Sequence, residues 1–310
     1  MRVIVKLLNF EIMKSRHFRQ FVAFACGVML LSVASCEKMN VSDADAVGEE
    51  VSVTVRVTSF EQVPFTLSRT RTSVGDVCSR LNFLIYQDGE RIRNEPQKIE
   101  DEGFGAMQFK LAKGRYYLVV LAHSSSGNPT STSSQKIQFT NATGYTDTFL
   151  YADSLIVDDA DKELSLNLER IVAMVRFIFE DDIPQRADKI RFYYTGGSGT
   201  FNANEGGWGV VNSKQEQWYD INHETKPEKF DIYTIPHKED EDVLKVMATT
   251  YHQEGESAED IVSEKSIEGI PVKRNHITIC KGYLFSPVYK MDISLSVDDV
   301  WDTDTIDFHF

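Results

Sequence analysis

From Val51 to Val57 apolar and polar residues alternate without interruption, Val-Ser-Val-Thr-Val-Arg-Val, which is the period of a strand with one buried face. Further β signals come at Leu81 to Tyr86, closed by Gln87-Asp88-Gly89, at Met107 to Leu111, and at Tyr116 to Ala122 after the turn Lys113-Gly114-Arg115. Shorter ones come at Ile137 to Thr140 and Leu155 to Val157, while Ser124 to Ser134, rich in Ser and Thr with Gly127 and Pro129, predicts an exposed loop. A second series opens with Leu164-Ser165-Leu166-Asn167-Leu168 and Ile171 to Phe179. It continues at Ile190 to Tyr194, Phe230 to Ile235, Leu244 to Thr250, His276 to Cys280, Met291 to Val297 and Ile306 to Phe310. Leu168, Ile171, Val172 and Val175 also fit a helical stripe, so that stretch reads equally as helix or strand. The loops at Thr195 to Gly209 and Gln253 to Lys265 are glycine-rich or acidic. Short strands at this spacing, with turn chemistry between them, predict an all-β chain built from β-sandwiches. The predicted domains span residues 51–161 and 162–310.

The start of the chain follows another pattern. Lys14, Arg16 and Arg19 precede an apolar run from Phe21 to Val33, then the small residues Ala34 and Ser35, then Cys36. A basic start, a short apolar run and small residues before a cut make a secretory signal. The run is well short of the roughly 20 apolar residues needed to span a bilayer. With a cysteine directly after the cut, the segment looks like the lipobox of bacterial lipoproteins, in which the thiol takes the lipid. Each buried CH₂ of an acyl chain such as palmitate contributes about 0.8 kcal/mol, and two or three chains hold durably. Residues 1–35 are therefore expected to be a signal peptide, Cys36 the lipid attachment site and 36–50 a polar tether. Met13 is a second plausible start, and Cys26 lies within the removed segment.

Loss of residues 1–35 would change the net charge from −14 to −18, leaving 28 basic and 46 acidic residues. Nucleic acid is excluded as an expected partner, because phosphate binding needs clustered Lys and Arg. Glu37, Asp43, Asp45, Glu49 and Glu50 crowd behind the lipid, as in signals that send some lipoproteins to the outer surface. At 310 residues and 42% apolar composition the chain can bury two cores. Beyond Cys26 and Cys36 only Cys78 and Cys280 remain, read as buried apolar thiols.

Candidate chemistry is thin. Gly196-Gly197-Ser198-Gly199 invites comparison with a nucleophile elbow, but Thr200 stands where the last glycine of G-x-S-x-G belongs. These glycines are read as turn residues, and Trp208 after Gly206-Gly207 as a packing or shielding ring. None of the seven histidines forms a H-E-x-x-H or another close ligand pair. Asp298, Asp299, Asp302, Asp304 and Asp307 lack the EF-hand order with its central glycine, so they read as a solvated acidic edge. Arg69 and Arg71, just past the first strand, read either as solvated arginines of a polar loop or, if that loop is exposed, as a protease-accessible site. No catalytic residue, cofactor or metal is expected.

Lys113-Gly114-Arg115-Tyr116-Tyr117-Leu118-Val119-Val120, Leu168-Glu169-Arg170 with Ala173, and Ile270-Pro271-Val272-Lys273-Arg274-Asn275-His276-Ile277-Thr278 accompany the lipobox in one chain. Together they resemble the fimbrillin superfamily, and within it the FimB-type fimbrial anchor subunits of type V pili, over nearly all of the mature chain. The resemblance implies a transthyretin-like or immunoglobulin-like sandwich in each half. It also implies a structural role in a fimbrium at the cell outer membrane, shaft subunits as partners, and no catalytic residues. Shaft subunits of such pili lose their first strand to an arginine-directed protease, and a neighbour's strand fills the groove. Here the lipid would sit on the same segment as the first strand, so a cut at Arg69 or Arg71 would sever body from membrane. The expectation is an anchor that keeps its first strand and ends polymerisation, with Met291 to Phe310 as donor to the shaft. The rival is a surface glycan-binding lipoprotein of a nutrient-uptake system, which requires a flat row of aromatic rings such as Trp208, Trp218 and Tyr219.

Overall fold

Alternating runs need partners for their backbone groups, and in the computed structural model they find them in one another, giving an all-β protein. Residues 50–61, 73–224, 227–238, 242–252 and 260–286 are described, with 291–296 as backbone. The first strands are β1 (Val51–Phe60), β2 (Arg80–Gln87), β3 (Glu90–Lys98), β4 (Ala106–Leu111), β5 (Gly114–His123), β6 (Thr130–Ser133), β7 (Lys136–Gln138), β8 (Thr148–Val157) and β9 (Lys162–Arg170). The others are β10 (Ala173–Phe179), β11 (Lys189–Thr195), β12 (Thr200–Asn202), β13 (Trp208–Gly209), β14 (Gln215–Asp220), β15 (Glu228–Thr234), β16 (Val243–Tyr251), β17 (Ile261–Pro271), β18 (Ile277–Gly282) and β19 (Met291–Ser296).

Seven of the first strands form one sheet in the order β3-β2-β5-β8-β9-β1-β4, folded at the β8–β9 corner around a shared core. At that corner only Phe149 and Leu150 pair with Arg170 and Glu169. In the second sandwich β14-β11-β16-β17 packs against β15-β10-β18-β19. Its core stacks Phe177 on Phe192 with centroids 4.7 Å apart.

The two sandwiches repeat one pairing scheme. β1 runs antiparallel to β4 and parallel to β9, just as β10 runs antiparallel to β15 and parallel to β18. β2 lies between β3 and β5 as β11 lies between β14 and β16, and β5 pairs with β8 as β16 pairs with β17. The difference is β19, which adds an antiparallel strand to β18 where β9 has none along most of its length.

Several sequence readings change. Leu164 to Leu168, read as the head of the second series, is β9, and it closes the first sheet on β1. The helix-or-strand stretch is strand on both sides of a break at Ile171 and Val172. Ser124 to Ser134 is not wholly exposed: Ser125, Ser131 and Ser134 are buried, and the Ser131 carbonyl accepts the Tyr86 hydroxyl at 2.7 Å. β3 and β17 were not legible. β3 is an edge strand with mostly exposed side chains, and β17 carries exposed Glu264 and Glu268 and a left-handed Gly269, so neither shows a clean apolar face.

Candidate assembly surfaces and the junction between the sandwiches

β1 is the strand on which an assembly reading turns. Val51, Val53, Val55 and Val57 are buried in the first core, while between them only Ser52 is buried too. On one side β1 meets β4 over six residue pairs from Val51↔Leu111 to Arg56↔Ala106. On the other it meets β9 from Val53↔Lys162 to Phe60↔Leu168. The Ser52 amide donates to Asp161 Oδ1 at 2.8 Å, and the Gln108 side-chain amide donates to Ser52 Oγ at 2.6 Å. β1 thus fills a groove whose walls are β4 and β9. Val55→Ala is expected to cost about 2 kcal/mol through lost methyls and the cavity left behind. Urea denaturation checks this against Arg56→Ala, which lies on the exposed face of β1 and should stay within about 0.5 kcal/mol.

The second surface is the junction. β6 and β7 from the first half and β12 and β13 from the second make one four-stranded sheet, with Ile137 opposite Phe201. Beneath it Leu84, Tyr86, Leu121 and Ile137 pack with Ile171, Met174, Phe201 and Ile277 in a third apolar cluster drawn from both halves. At its margin lies Arg170, its side chain only 2% exposed. Its Nε and Nη2 donate to the two carboxylate oxygens of Asp147 at 2.7 and 2.8 Å, and its Nη1 donates to Asn275 Oδ1 at 2.9 Å. The guanidinium carbon also lies 4.7 Å from the Phe149 ring centroid. Asn275 itself has φ 59°, a left-handed conformation that Asn tolerates better than most residues, and its amide donates to the Val172 carbonyl at 2.9 Å. The bidentate geometry is why arginine serves here and lysine would not.

Arg170 and Asn275 belong to two of the segments singled out in the sequence, and the fold brings them into contact across 105 positions. Next to Asn275, Arg274 lies 3.5 Å over the Trp208 ring and donates to the Gly206 carbonyl at 2.8 Å. Asp147 is the member that sequence reading missed, since an acidic residue in the loop before β8 carries no periodic signal.

The remaining predicted positions fall as follows. Cys36, Arg69 and Arg71 lie outside the described residues, as do Ile306 to Phe310 and the acidic group from Asp298 to Asp307. Of Met291 to Phe310, the described part is β19, an edge strand on β18. Ser198 is fully buried, its hydroxyl donates to the Thr200 carbonyl at 2.6 Å, and it locks a turn. Gly196 has φ 107°, and a Cβ on Gly197 would stand 2.1 Å from Thr234 Oγ1, so both glycines are needed for conformation and close approach. Cys78 and Cys280 are free and buried, and burial pushes the Cys78 thiol up to about 12 and raises that of Cys280 further. The aromatic rings do not form a row. Trp208 packs on Arg274 and Tyr219 packs into the second core, while Trp218 lies 5.3 Å from Tyr251 and donates to Glu216 Oε1 at 2.6 Å.

Two tandem strand-built sandwiches, each with its first strand parallel to a late one, meet at a buried arginine clasp and define an all-β sandwich protein. The profile of the fimbrillin-A-associated anchor proteins Mfa1 and Mfa2 matches residues 44–307, and the chain belongs to that family. Similar solved structures include a candidate adhesin from Bacteroides ovatus ATCC 8483, with 13% identity, TM-score 0.45, and coverage of 78% of this chain and 91% of that one. A candidate polysaccharide-binding protein from Bacteroides thetaiotaomicron VPI-5482 has 12% identity, TM-score 0.48, and coverage of 83% and 99%. The fimbrial anchor protein Mfa2 from Porphyromonas gingivalis has 12% identity, TM-score 0.40, and coverage of 75% and 90%. These values are too low to carry function from one structure to another. No curated protein sequence matches the chain. Family membership assigns a fimbrium-associated structural role at the cell surface.

Proposed function

We propose that this protein is an outer-membrane lipoprotein, acylated at Cys36, that anchors a fimbrium and ends its polymerisation. The observation that carries this reading is the seating of β1 between β4 and β9 with four valines buried. While that strand stays in place its groove is closed to a donor from another subunit, so the chain cannot be extended there. A cut at Arg69 or Arg71 would release the lipid-bearing segment with β1, so retention of β1 and membrane attachment go together. Attachment to the shaft is assigned to Met291 to Phe310. Its β19 portion is an edge strand, and an edge strand gives up hydrogen bonds on one side only when it detaches. Strand addition of this kind satisfies backbone groups along a whole edge and fixes register through alternate side chains. In this reading the two sandwiches are tandem modules, held as one strut by the Arg170 clasp.

Cells expressing Cys36→Ser in place of the native protein are expected to shed fimbriae into the medium, and cells lacking the gene to shed them or grow them to uncontrolled length. Electron microscopy of cells and supernatant checks both, and fimbriae that stay cell-bound and normal in length would overturn the anchoring reading. Removal of Met291 to Phe310 is expected to abolish capture of shaft subunits in a pulldown. Mass spectrometry of surface material should find the N-terminus at Cys36; one at Thr70 or Thr72 would contradict the closed groove.

A further inference from the structure

Among the described residues, the repeated pairing scheme fills one position in the second sandwich that no strand fills in the first. β18 carries β10 on one edge and β19 on the other. Its counterpart β9 carries β1 on one edge, while on the other β8 pairs with it only at Arg170 and Glu169. The direction of the backbone groups can be read from the β1 side. The Leu168 carbonyl accepts the Glu61 amide at 2.9 Å, and the Leu166 carbonyl accepts the Thr58 hydroxyl at 3.1 Å, so the even-numbered residues of β9 address β1. Glu163, Ser165 and Asn167 therefore turn their N–H and C=O groups to the outer edge, where among the described residues no strand meets them.

Three other edges are blunted. β3 carries Pro96 and a run of charged residues, β17 carries Gly269 and Pro271 with two register shifts, and β8 places an exposed Asp153 on its core-facing parity. Between Leu164 and Leu168 β9 has no proline, glycine or charge, and its inward residues Leu164, Leu166 and Leu168 are apolar; its charged pair Lys162 and Glu163 lies at one end. Leu166 and Leu168 are buried, but Leu164 is half-covered at the margin of the first core. The rim is acidic on balance: Asp153, Asp158, Asp159, Asp161 and Glu163 are exposed, against Lys162 and Lys113, the latter paired with Asp159 at 2.7 Å.

We propose that the outer edge of β9, from Lys162 to Leu168, takes an extended strand of a partner protein, antiparallel to β9, with apolar residues at alternate positions and Lys or Arg between them. The antiparallel sense and the alternation follow from β19, the strand that fills the equivalent edge of the repeat, in the sequence Met-Asp-Ile-Ser-Leu-Ser. That sequence has an acidic residue and no basic one, so a second copy of this segment fits the acidic rim less well than a basic strand does. The site is separate from the groove filled by β1, and as a joint within a polymer it rests on the anchoring reading above.

The test uses the full mature chain and a short synthetic peptide alternating Ile with Lys. In the free protein the Ser165 amide should exchange rapidly with solvent hydrogen, and saturating peptide should slow it by about tenfold or more. Ser165→Pro removes an outward N–H that no ladder uses, so the variant should unfold at the same urea concentration as the parent yet bind the peptide at least about tenfold more weakly. Replacing Lys by Glu in the peptide should weaken it similarly. A Ser165 amide already protected in the free protein, protection appearing on β18 instead, unchanged affinity of Ser165→Pro, or equal binding of the Glu peptide would each overturn the proposal. A Ser165→Pro chain that fails to fold would also count against it, because the N–H would then be in use. Shed fimbriae are read separately: normal anchoring with no peptide protection sinks the β9 edge alone, and cell-bound fimbriae in the Cys36→Ser strain sink the anchoring reading alone.

Discussion

Asp147→Ala is expected to lower the stability of the protein by about 3–5 kcal/mol, the cost of taking the carboxylate from a buried guanidinium. The Arg170 side chain is almost wholly enclosed and meets Asp147 through two parallel hydrogen bonds. It cannot turn to water without giving up Asn275 and the Phe149 ring as well. Arg170→Met should cost less, because it removes the charge while an unbranched side chain still covers Phe149, and because Asp147, with its side chain 27% exposed, can find water. The double variant Asp147→Ala, Arg170→Met should then be more stable than Asp147→Ala alone. Urea denaturation followed by tryptophan fluorescence measures all three. Equal losses for the two single variants, adding in the double, would show that the pair acts as separate packing groups and not as a clasp.

Acidification is expected to destabilise the protein by about 3 kcal/mol between pH 6.5 and pH 4 through one residue, His123. Its ring is fully buried at the end of β5, with Nε2 2.8 Å from Asn82 Oδ1 and Nδ1 accepting the Ser125 amide at 3.2 Å. That arrangement admits only the neutral tautomer with its proton on Nε2. A second proton on Nδ1 would face the Ser125 N–H. Burial first, and the nearby Arg80 charge second, push the folded pKa from 6.5 down to about 4. The unfolded chain takes up a proton near 6.5 and the folded one does not, so the contribution is fully present above pH 6.5 and is lost progressively as pH falls toward 4. Unfolding free energies between pH 7.5 and 4 should show this slope in the parent and a shallower one in His123→Gln. A His123→Gln variant with the parent's slope would place the acid sensitivity elsewhere.

The strands that were legible in the sequence are of two kinds: β1, β4, β11 and β15 show one apolar face by alternation, while β2 and β5 are continuous apolar runs buried on both faces between two cores. β3 and β17 stayed hidden because an edge strand exposes most of its side chains and so needs no period. The segment Leu168-Glu169-Arg170 was visible as a resemblance, but its role was not. Nothing about an arginine in an alternating run tells that its partners will be Asp147 and Asn275, one upstream in the loop before β8 and one 105 positions later.

The sequence by itself determined the class of the protein. Period-two burial is a property of neighbouring residues, so it survives without knowledge of the partner strand, and it sufficed to predict stacked sheets. Only the tertiary structure decided which strands meet. The pairing of β9 with β1, the sheet shared between the halves and the clasp at Arg170 all depend on chain closure over long separations. Local periodicity carries no information about such closure.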